Sequence, residues 1–382
     1  MSAVHRRRGN RPEVAYFSPL PPERSGVADY SAQLLPALGR RVDVRVVRRG
    51  GDAHGSAVRL YHLGNDPNAH GWIMQALDRR PGIVVLHEVA LHELFASLML
   101  GRGDTEGYLD AVQRDGGERA GRLARRYLAG LAPPIWEARP LEVPLISDVL
   151  ERAEAVIVHS RFAEERVRVA GYSGLIRRVP MPAPPSNGGV ATNRADVSPV
   201  VCSAGIVNWT KRIPQLLEAF ALLRKRLGRA ALVLVGPGAR SLNLDARLER
   251  LGLRRGRDVI DLGYVDERRL TEVLATSTVS VSLRWPTLGE TSASVVRTLA
   301  AGCPAVVTDT GWFSELPSEV AVKVPRGGEL EIEHLASVLE RLCSDRGLRS
   351  SMGAAARAYA REHHDVEATA DGYASVIQQV GE

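Results

Sequence analysis

Short, nearly unbroken apolar runs recur along the first half of the chain, at residues 14–18, 42–47, 57–62, 82–87 and 155–159. Strands that alternate apolar and polar residues have one wet face, whereas continuous runs suit parallel strands covered on both faces. Apolar residues at helical spacing fill 29–38 and 144–153. Strands alternating with helices predict a doubly wound α/β sheet. The stretch MPAPPSNGGVATNRADVSP then breaks the pattern: rich in Pro, Gly, Ser and Asn, it buries little apolar surface and reads as a linker, placed at 186–199. Beyond it the pattern restarts with strand 200–204, helix 213–227, strands 231–235 and 258–262, helix 267–275 and strand 279–283. Helix 292–301, strand 305–308 and helix 331–343 follow.

The expected organisation is therefore an N-terminal Rossmann-like domain over 1–185, the linker, a second Rossmann-like domain over 200–358, and a closing segment over 359–382. At 382 residues the chain exceeds what one hydrophobic core usually serves, which agrees with two domains. Two such sheets joined by a hinge are expected to take a ligand in a cleft at the carboxyl ends of their strands. Residues 91–141 differ from the rest: their helical spacing is interrupted at GRGDTEG and RDGGERAG, and they read as a helical excursion from the first sheet. The basic segment RAGRLARR at 119–126 has three readings: a solvated helix face, a peripheral membrane contact, or an acceptor-binding surface.

Composition narrows the classes. The formal charge is +6, but the basic residues are spread along the chain and only Lys211, Lys225 and Lys323 are lysines. With no nucleic-acid-binding motif beside it, this charge argues for anionic small ligands or an anionic membrane surface, and against nucleic acid. Cys202, Cys303 and Cys343 are too few and too scattered for a disulfide framework or a metal cluster. The first residues, MSAVHRRRGNRPEVAYF, lack an apolar stretch after the basic ones, so no signal peptide is expected. No segment approaches the ~20 apolar residues of a membrane span. The expected location is the cytoplasm, with the inner membrane face as an option.

The densest chemistry lies in strand 279–283, the turn RWPTLGE and the helix that begins near Thr291. Thr291, Ser292, Ala293 and Ser294 are small, so ligand oxygens can approach the free N–H groups of the first turn, where the helix dipole favours a phosphate. The same TSAS residues also make an ordinary helix cap, with Glu290 favoured by the dipole. Lys211 stands just after the strand-and-turn CSAGIVNWT and before a helix; a compact ammonium there can neutralise a diphosphate leaving group, with Arg212 as a second donor. Its plainer reading is a solvent-facing Lys at a helix start. Gly26, after Ser25, can bring backbone amides to the ligand from the first domain, although turns need Gly in any case. His87 ends the fourth strand at its cleft-facing edge, or is a core histidine satisfied by backbone. HEVALH has one residue too many for the zinc-protease pattern, and on a helix His87 and His92 would stand about 140° apart, so they could not share a metal.

Together these residues resemble glycosyltransferase family 4, the retaining enzymes of the GT-B fold. The resemblance runs from PLPPERSGVADYS through LHEVALHEL, PLISDVLERAEAVIVHSRFAEERV and KRIPQLLEAFA to RWPTLGETSASVVRTLAAGCP, and HDVEATADGYASVI looks like the family's last helix, which crosses back onto the first domain. It implies that the Gly26 loop and Lys211 contact the donor diphosphate, Thr291 to Ser294 the distal phosphate, and Glu290 the transferred sugar. It places Gly263, Tyr264 and Val265 near the nucleobase and His87 beside sugar and acceptor. The departing phosphate oxygen would help deprotonate the acceptor, with no metal, no cofactor and no protein nucleophile. Two positions depart from the family pattern. Arg297 stands where a ribose-binding glutamate is common, and Ile206 where an arginine partners the phosphate lysine, so that Arg212 is the expected substitute. The implied partners are a nucleotide-sugar donor and an acceptor glycan or small molecule. Two other readings stay open at this point: nucleotide-sugar epimerisation or cyclitol coupling on the same fold, and a catalytically silent nucleotide-sugar-binding subunit.

Overall fold

The computed structural model describes residues 11–23, 25–51, 55, 58–184, 198–238 and 242–382. The chain forms two compact units: one from Met1–Pro182, Leu288–Thr291 and Val366–Glu382, the other from Ala183–Thr287 and Ser292–Asp365. The linker expected at 186–199 lies, through residue 197, outside the described residues.

The first unit is built on strands β1 (Glu13–Phe17), β2 (Asp43–Val47), β3 (Val58–Leu63), β4 (Gly82–Leu86), β5 (Ala153–Val158) and β6 (Leu175–Arg178). They form one sheet in the order β2-β1-β3-β4-β5-β6, and every neighbouring pair is parallel. All five residues of β4 are buried, as expected of a central strand with helices on both faces, whereas four of the five in β2, at the edge, are not. Helices α1 (Gly26–Leu38) and α2 (Pro67–Arg79) join the early strands. Each start is fixed by a side chain: Ser25 Oγ accepts from the Ala28 amide, and Asp66 accepts from Asn68 with Pro67 opening the first turn.

Between β4 and β5 the chain leaves the sheet through α3 (His92–Leu100), α4 (Thr105–Leu128), α5 (Ile135–Ala138) and α6 (Ser147–Glu151); α7 (Arg161–Val169) follows β5. Of the two expected interruptions, GRGDTEG does separate α3 from α4. RDGGERAG interrupts it as well: two helical stretches of α4 meet there at a kink, at Gly117, whose non-helical φ of 69° a residue with a Cβ rarely adopts. The segment expected as a helix at 144–153 contains only the short α6, and its last residue opens β5.

The second unit holds β7 (Val200–Ala204), α8 (Ile213–Leu227), β8 (Ala231–Val235), α9 (Leu244–Arg250), β9 (Val259–Asp261), α10 (Glu267–Thr276) and β10 (Val279–Ser282). Then come α11 (Ala293–Ala301), β11 (Ala305–Thr308), β12 (Ala321–Val324), α12 (Gly328–Ser344) and α13 (Arg346–His363). Its sheet is also all-parallel, in the order β12-β11-β10-β7-β8-β9. The last helix, α14 (Val366–Gly381), belongs to the first unit, where Thr369 Oγ1 donates to the Pro180 carbonyl and the Tyr373 hydroxyl meets that of Tyr30 at 2.7 Å. The helix expected to cross back begins at Val366, after a break at His364 and Asp365, and not at 359. No helix among the described residues is long and apolar enough to cross a membrane.

Candidate active site

In the second sheet β7 and β10 are neighbours although five elements of chain, α8 to α10, separate them, and the order runs outward from this pair in both directions. At such a switch point the loops after the two strands part, leaving a crevice beyond their carboxyl ends where α/β proteins bind ligands. Lys211 lies in the loop after β7; Ser292 and Ser294 follow β10. Sequence reasoning chose these residues without the strand order, and the fold brings both loops to one edge of one sheet.

The loop carrying Lys211 is tightly held. Asn208 Oδ1 accepts from the Lys211 amide at 3.0 Å and from Thr210 Oγ1 at 2.9 Å. Arg284 Nη1, just beyond β10, donates to Thr210 Oγ1 at 3.0 Å, and the Trp285 amide donates to the Thr210 carbonyl at 2.8 Å. The two loops are thus stitched together. Lys211 is buried to 9% exposure, and a Cβ on Gly205 would come within 3.3 Å of its Nζ, so Gly205 leaves the ammonium its place at the end of β7. Gly236, at φ 138°, packs so closely on Gly205 that a Cβ would fall 2.2 Å from its carbonyl oxygen. Gly236 also donates to the Gly263 carbonyl at 2.7 Å, so the exits of β7, β8 and β9 form one continuous rim.

Arg212 has another occupation. Its Nε and Nη2 each reach a carboxylate oxygen of Glu331 at 2.5 Å, and the Glu331 side chain has no exposure. Glu331 also accepts from the Gly327 amide at 2.8 Å. The backbone of Arg212 is left-handed, φ 51°, an uncommon state for a residue with a side chain and one that surrounding contacts must enforce. The expected second phosphate donor is therefore committed to a buried carboxylate. Beside Lys211, the second cation in the stitched loops is Arg284, the first residue of the turn RWPTLGE, to which the sequence alone assigned no role.

At the start of α11 the N-cap is Ser292, whose Oγ accepts from the Val295 amide at 3.4 Å and lies 3.0 Å from Ser294 Oγ. The Ala293 and Ser294 amides occupy the first turn, where helical N–H groups have no intrahelical acceptor. The helix ends at Gly302, φ 67°. Arg297, on this helix, has its Nε on the Glu267 carboxylate at 2.8 and 2.9 Å. A carboxylate does therefore stand beside the position where the family pattern would have one. It comes from α10, 30 residues earlier in the chain, beyond the reach of local spacing. Gly263 donates to Asp261 Oδ1, and the Tyr264 side chain is 56% exposed beyond β9, with Val265 beside it.

Residues Leu288–Thr291 group with the first unit. The Leu288 carbonyl accepts from Val89 at 2.8 Å and Ala90 at 3.1 Å, just past β4, and Glu290 Oε2 accepts from the Leu288 amide. Gly289, φ 80°, is pressed against Val89, whose Cγ2 a Cβ would approach to 2.2 Å. Glu290 and Thr291 are buried at 6% exposure each. In the same unit Gly26 opens α1 with no atom within 4 Å of a would-be Cβ, so only an approaching ligand, not the protein's own packing, would require glycine there. His87 directly follows β4 and lies among aromatic rings: its Nε2 is 3.0 Å from His62 Nδ1, with Tyr30 and His159 at 4.8 and 5.0 Å between centroids. His92, by contrast, starts α3 and is held by the Val143 carbonyl and the Tyr108 hydroxyl. Among the described residues no group of His, Cys, Asp and Glu has metal-binding geometry.

Two all-parallel six-stranded sheets, each in its own α/β unit, make up the GT-B fold. Residues 191–359 match the family model of glycosyl transferases group 1, and that domain stands on the GT-B fold. No curated protein matches the sequence. Among solved structures, sucrose-phosphate synthase from Thermosynechococcus elongatus matches with a TM-score of 0.67 and 18% identity over 97% of this chain and 99% of that one. WaaG, a glycosyltransferase involved in lipopolysaccharide biosynthesis, matches at 0.60 and 14% over 96% and 99%. Anabaena HepE in complex with UDP and glucose matches at 0.59 and 16% over 96% and 99%. The chain spans 45% of the length of TarM, with a TM-score of 0.50 and 17% identity over 61% of its own residues.

Proposed function

We propose that the protein is a retaining glycosyltransferase of family 4, moving a sugar from a nucleotide-diphosphate donor to a glycan, lipid-linked glycan or natural-product acceptor without a metal ion. The observation that carries this reading is the shared edge of β7 and β10, where the Lys211 loop and the amide-lined start of α11 converge on one switch point. There the ammonium and the Ala293 and Ser294 amides neutralise the departing diphosphate, which supplies the stabilisation that a divalent cation gives in other transferases. Arg284 replaces Arg212 as the second cation of this set. Glu290 orients the transferred sugar, and the Gly263–Val265 rim takes the base, with Glu267 beside Arg297 available to the ribose. With the diphosphate as both leaving group and proton acceptor, no protein nucleophile is needed; positioning and charge carry the rate. The presence of UDP in the HepE structure supports a nucleoside diphosphate as the probe.

Nucleoside diphosphates at millimolar concentration should raise the melting temperature by several degrees, since roughly 100-fold excess over Kd stabilises by about 2.7 kcal/mol. Lys211→Ala should remove most of that shift, a loss of roughly tenfold to a hundredfold in affinity. Absence of any shift with a panel of diphosphates and nucleotide sugars would end the reading. Slow donor hydrolysis that disappears in Glu290→Ala separates an enzyme from a silent binding subunit.

A further inference from the structure

His87 does not stand alone at the end of β4. Its Nε2 points to His62 Nδ1 at 3.0 Å, from β3 alongside, and His62 is wholly buried while His87 keeps 7% exposure. The far nitrogen of His62, Nε2, is enclosed and has no hydrogen-bond partner. Around it lie the rings of Tyr16, 4.6 Å away, and of Tyr373, stacked at 6.0 Å, whose hydroxyls are engaged by Ser31 and Tyr30. Burial, reinforced by His159 and His70, holds both His62 and His87 well below the usual histidine range, so each ring carries one proton.

Two arrangements of those protons satisfy the 3.0 Å contact. If His87 donates from Nε2, the proton of His62 must sit on its enclosed Nε2, leaving a buried N–H with no acceptor. If His62 donates from Nδ1, only a lone pair is left unpaired there. An orphaned buried N–H is much the rarer and costlier of the two. The second arrangement fixes the proton of His87 on Nδ1.

We infer that His62 is a positioning residue that sets the tautomer of His87, so that His87 offers an Nδ1–H donor, and no lone pair, to an oxygen of bound donor or acceptor. Resting on the glycosyl-transfer reading, this assigns His87 a hydrogen-bonding role toward a sugar hydroxyl. It excludes His87 as the base that deprotonates the acceptor, because its one lone pair is spent on His62. The acceptor proton then has to leave through the departing phosphate oxygen.

The test is long-range proton–nitrogen NMR on the full chain labelled with nitrogen-15 histidine, the His87 signals being assigned by their loss in His87→Gln. The expected spectrum has the His87 proton on Nδ1 at neutral pH; a proton on Nε2 overturns the inference with no variant needed. His62→Asn, whose amide nitrogen overlays Nδ1, should retain both the tautomer and the rate of donor turnover to within about twofold. His62→Leu should lose the fixed tautomer and slow turnover roughly tenfold, the worth of one positioned hydrogen bond. A His62→Leu variant that is folded, keeps the Nδ1 tautomer and turns over as the parent does also overturns it. The outcomes are separable: failure of nucleoside diphosphates to stabilise the protein removes the transfer reading, while the NMR result stands or falls by itself.

Discussion

Arg212 holds a left-handed backbone and a two-pronged contact to Glu331 at the head of α8, one residue after Lys211. Arg212→Ala strips the counter-ion from a fully buried carboxylate, an uncompensated charge that costs about 3–5 kcal/mol. We expect a clear fall in melting temperature, measured by calorimetry, with the diphosphate-induced shift of the surviving folded protein largely kept. Were Arg212 a phosphate ligand instead, the parent stability would survive and the ligand shift would vanish. Lys211 was legible in sequence because a scarce residue type stood at a strand-to-helix junction. The employment of Arg212 was not, because its partner lies 119 residues away and no local spacing couples the two. Arg284 and Glu267 escaped for the same reason: each acquires its role only when two loops or helices are brought side by side.

Among the elements, the passage from β10 to α11 concentrates the constraints. Its beginning is tied to Thr210 through Arg284 and Trp285, and its middle, Leu288–Thr291, is packed with Val89 and Phe162. Gly289 is the position that tolerates least: φ 80° and 2.2 Å to Val89 Cγ2 leave no place for a methyl group. Gly289→Ala should destabilise by about 1–3 kcal/mol and displace the neighbouring Glu290, slowing donor turnover more than it weakens diphosphate binding. An alanine variant with parental melting temperature and rate would show the contact to be dispensable. Element boundaries were readable where chemistry marks them: Gly302 does end α11, and the expected start near Thr291 falls one residue before the Ser292 cap. Strands buried on both faces announced themselves as apolar runs. Edge strands β6, LIRR, and β12, AVKV, did not, because a half-covered strand needs no such run. α2 carried a readable start, Asp66 followed by Pro67, but its apolar stripe is diluted by His70, Gly71 and Gln75.

For the whole molecule, two doubly wound sheets followed from alternation alone, whereas strand order, and with it the switch point at β7 and β10, needed coordinates. Strand order is decided by which apolar faces pair across long stretches of chain, information that no window of sequence contains. One collective property follows from the first unit's buried histidines. Burial lowers His70 and His92 to about 4, and His62 and His87 are also well below their ordinary value. A folded-state pKa below the unfolded one means that the unfolded chain takes up protons first. Stability is therefore complete above about pH 6.5 and declines as pH falls toward 4, by up to about 1.4 kcal/mol per pH unit for each histidine. Hydrogen exchange at pH 7, 5.5 and 4.5 should show β3 and β4 losing protection across that interval; constant protection there would contradict the burial argument.

The first unit draws α14 from residues that follow the entire second unit in sequence. A ribosome emits β1 to β6 early, yet Tyr373, which meets Tyr30 and flanks His62, is translated only after residue 365. The nascent first sheet must wait with the seat of α14 uncovered while the second unit is synthesised. Its final closure is consequently post-translational in timing, and a chain stalled anywhere before Val366 would present an incomplete unit to chaperones and proteases.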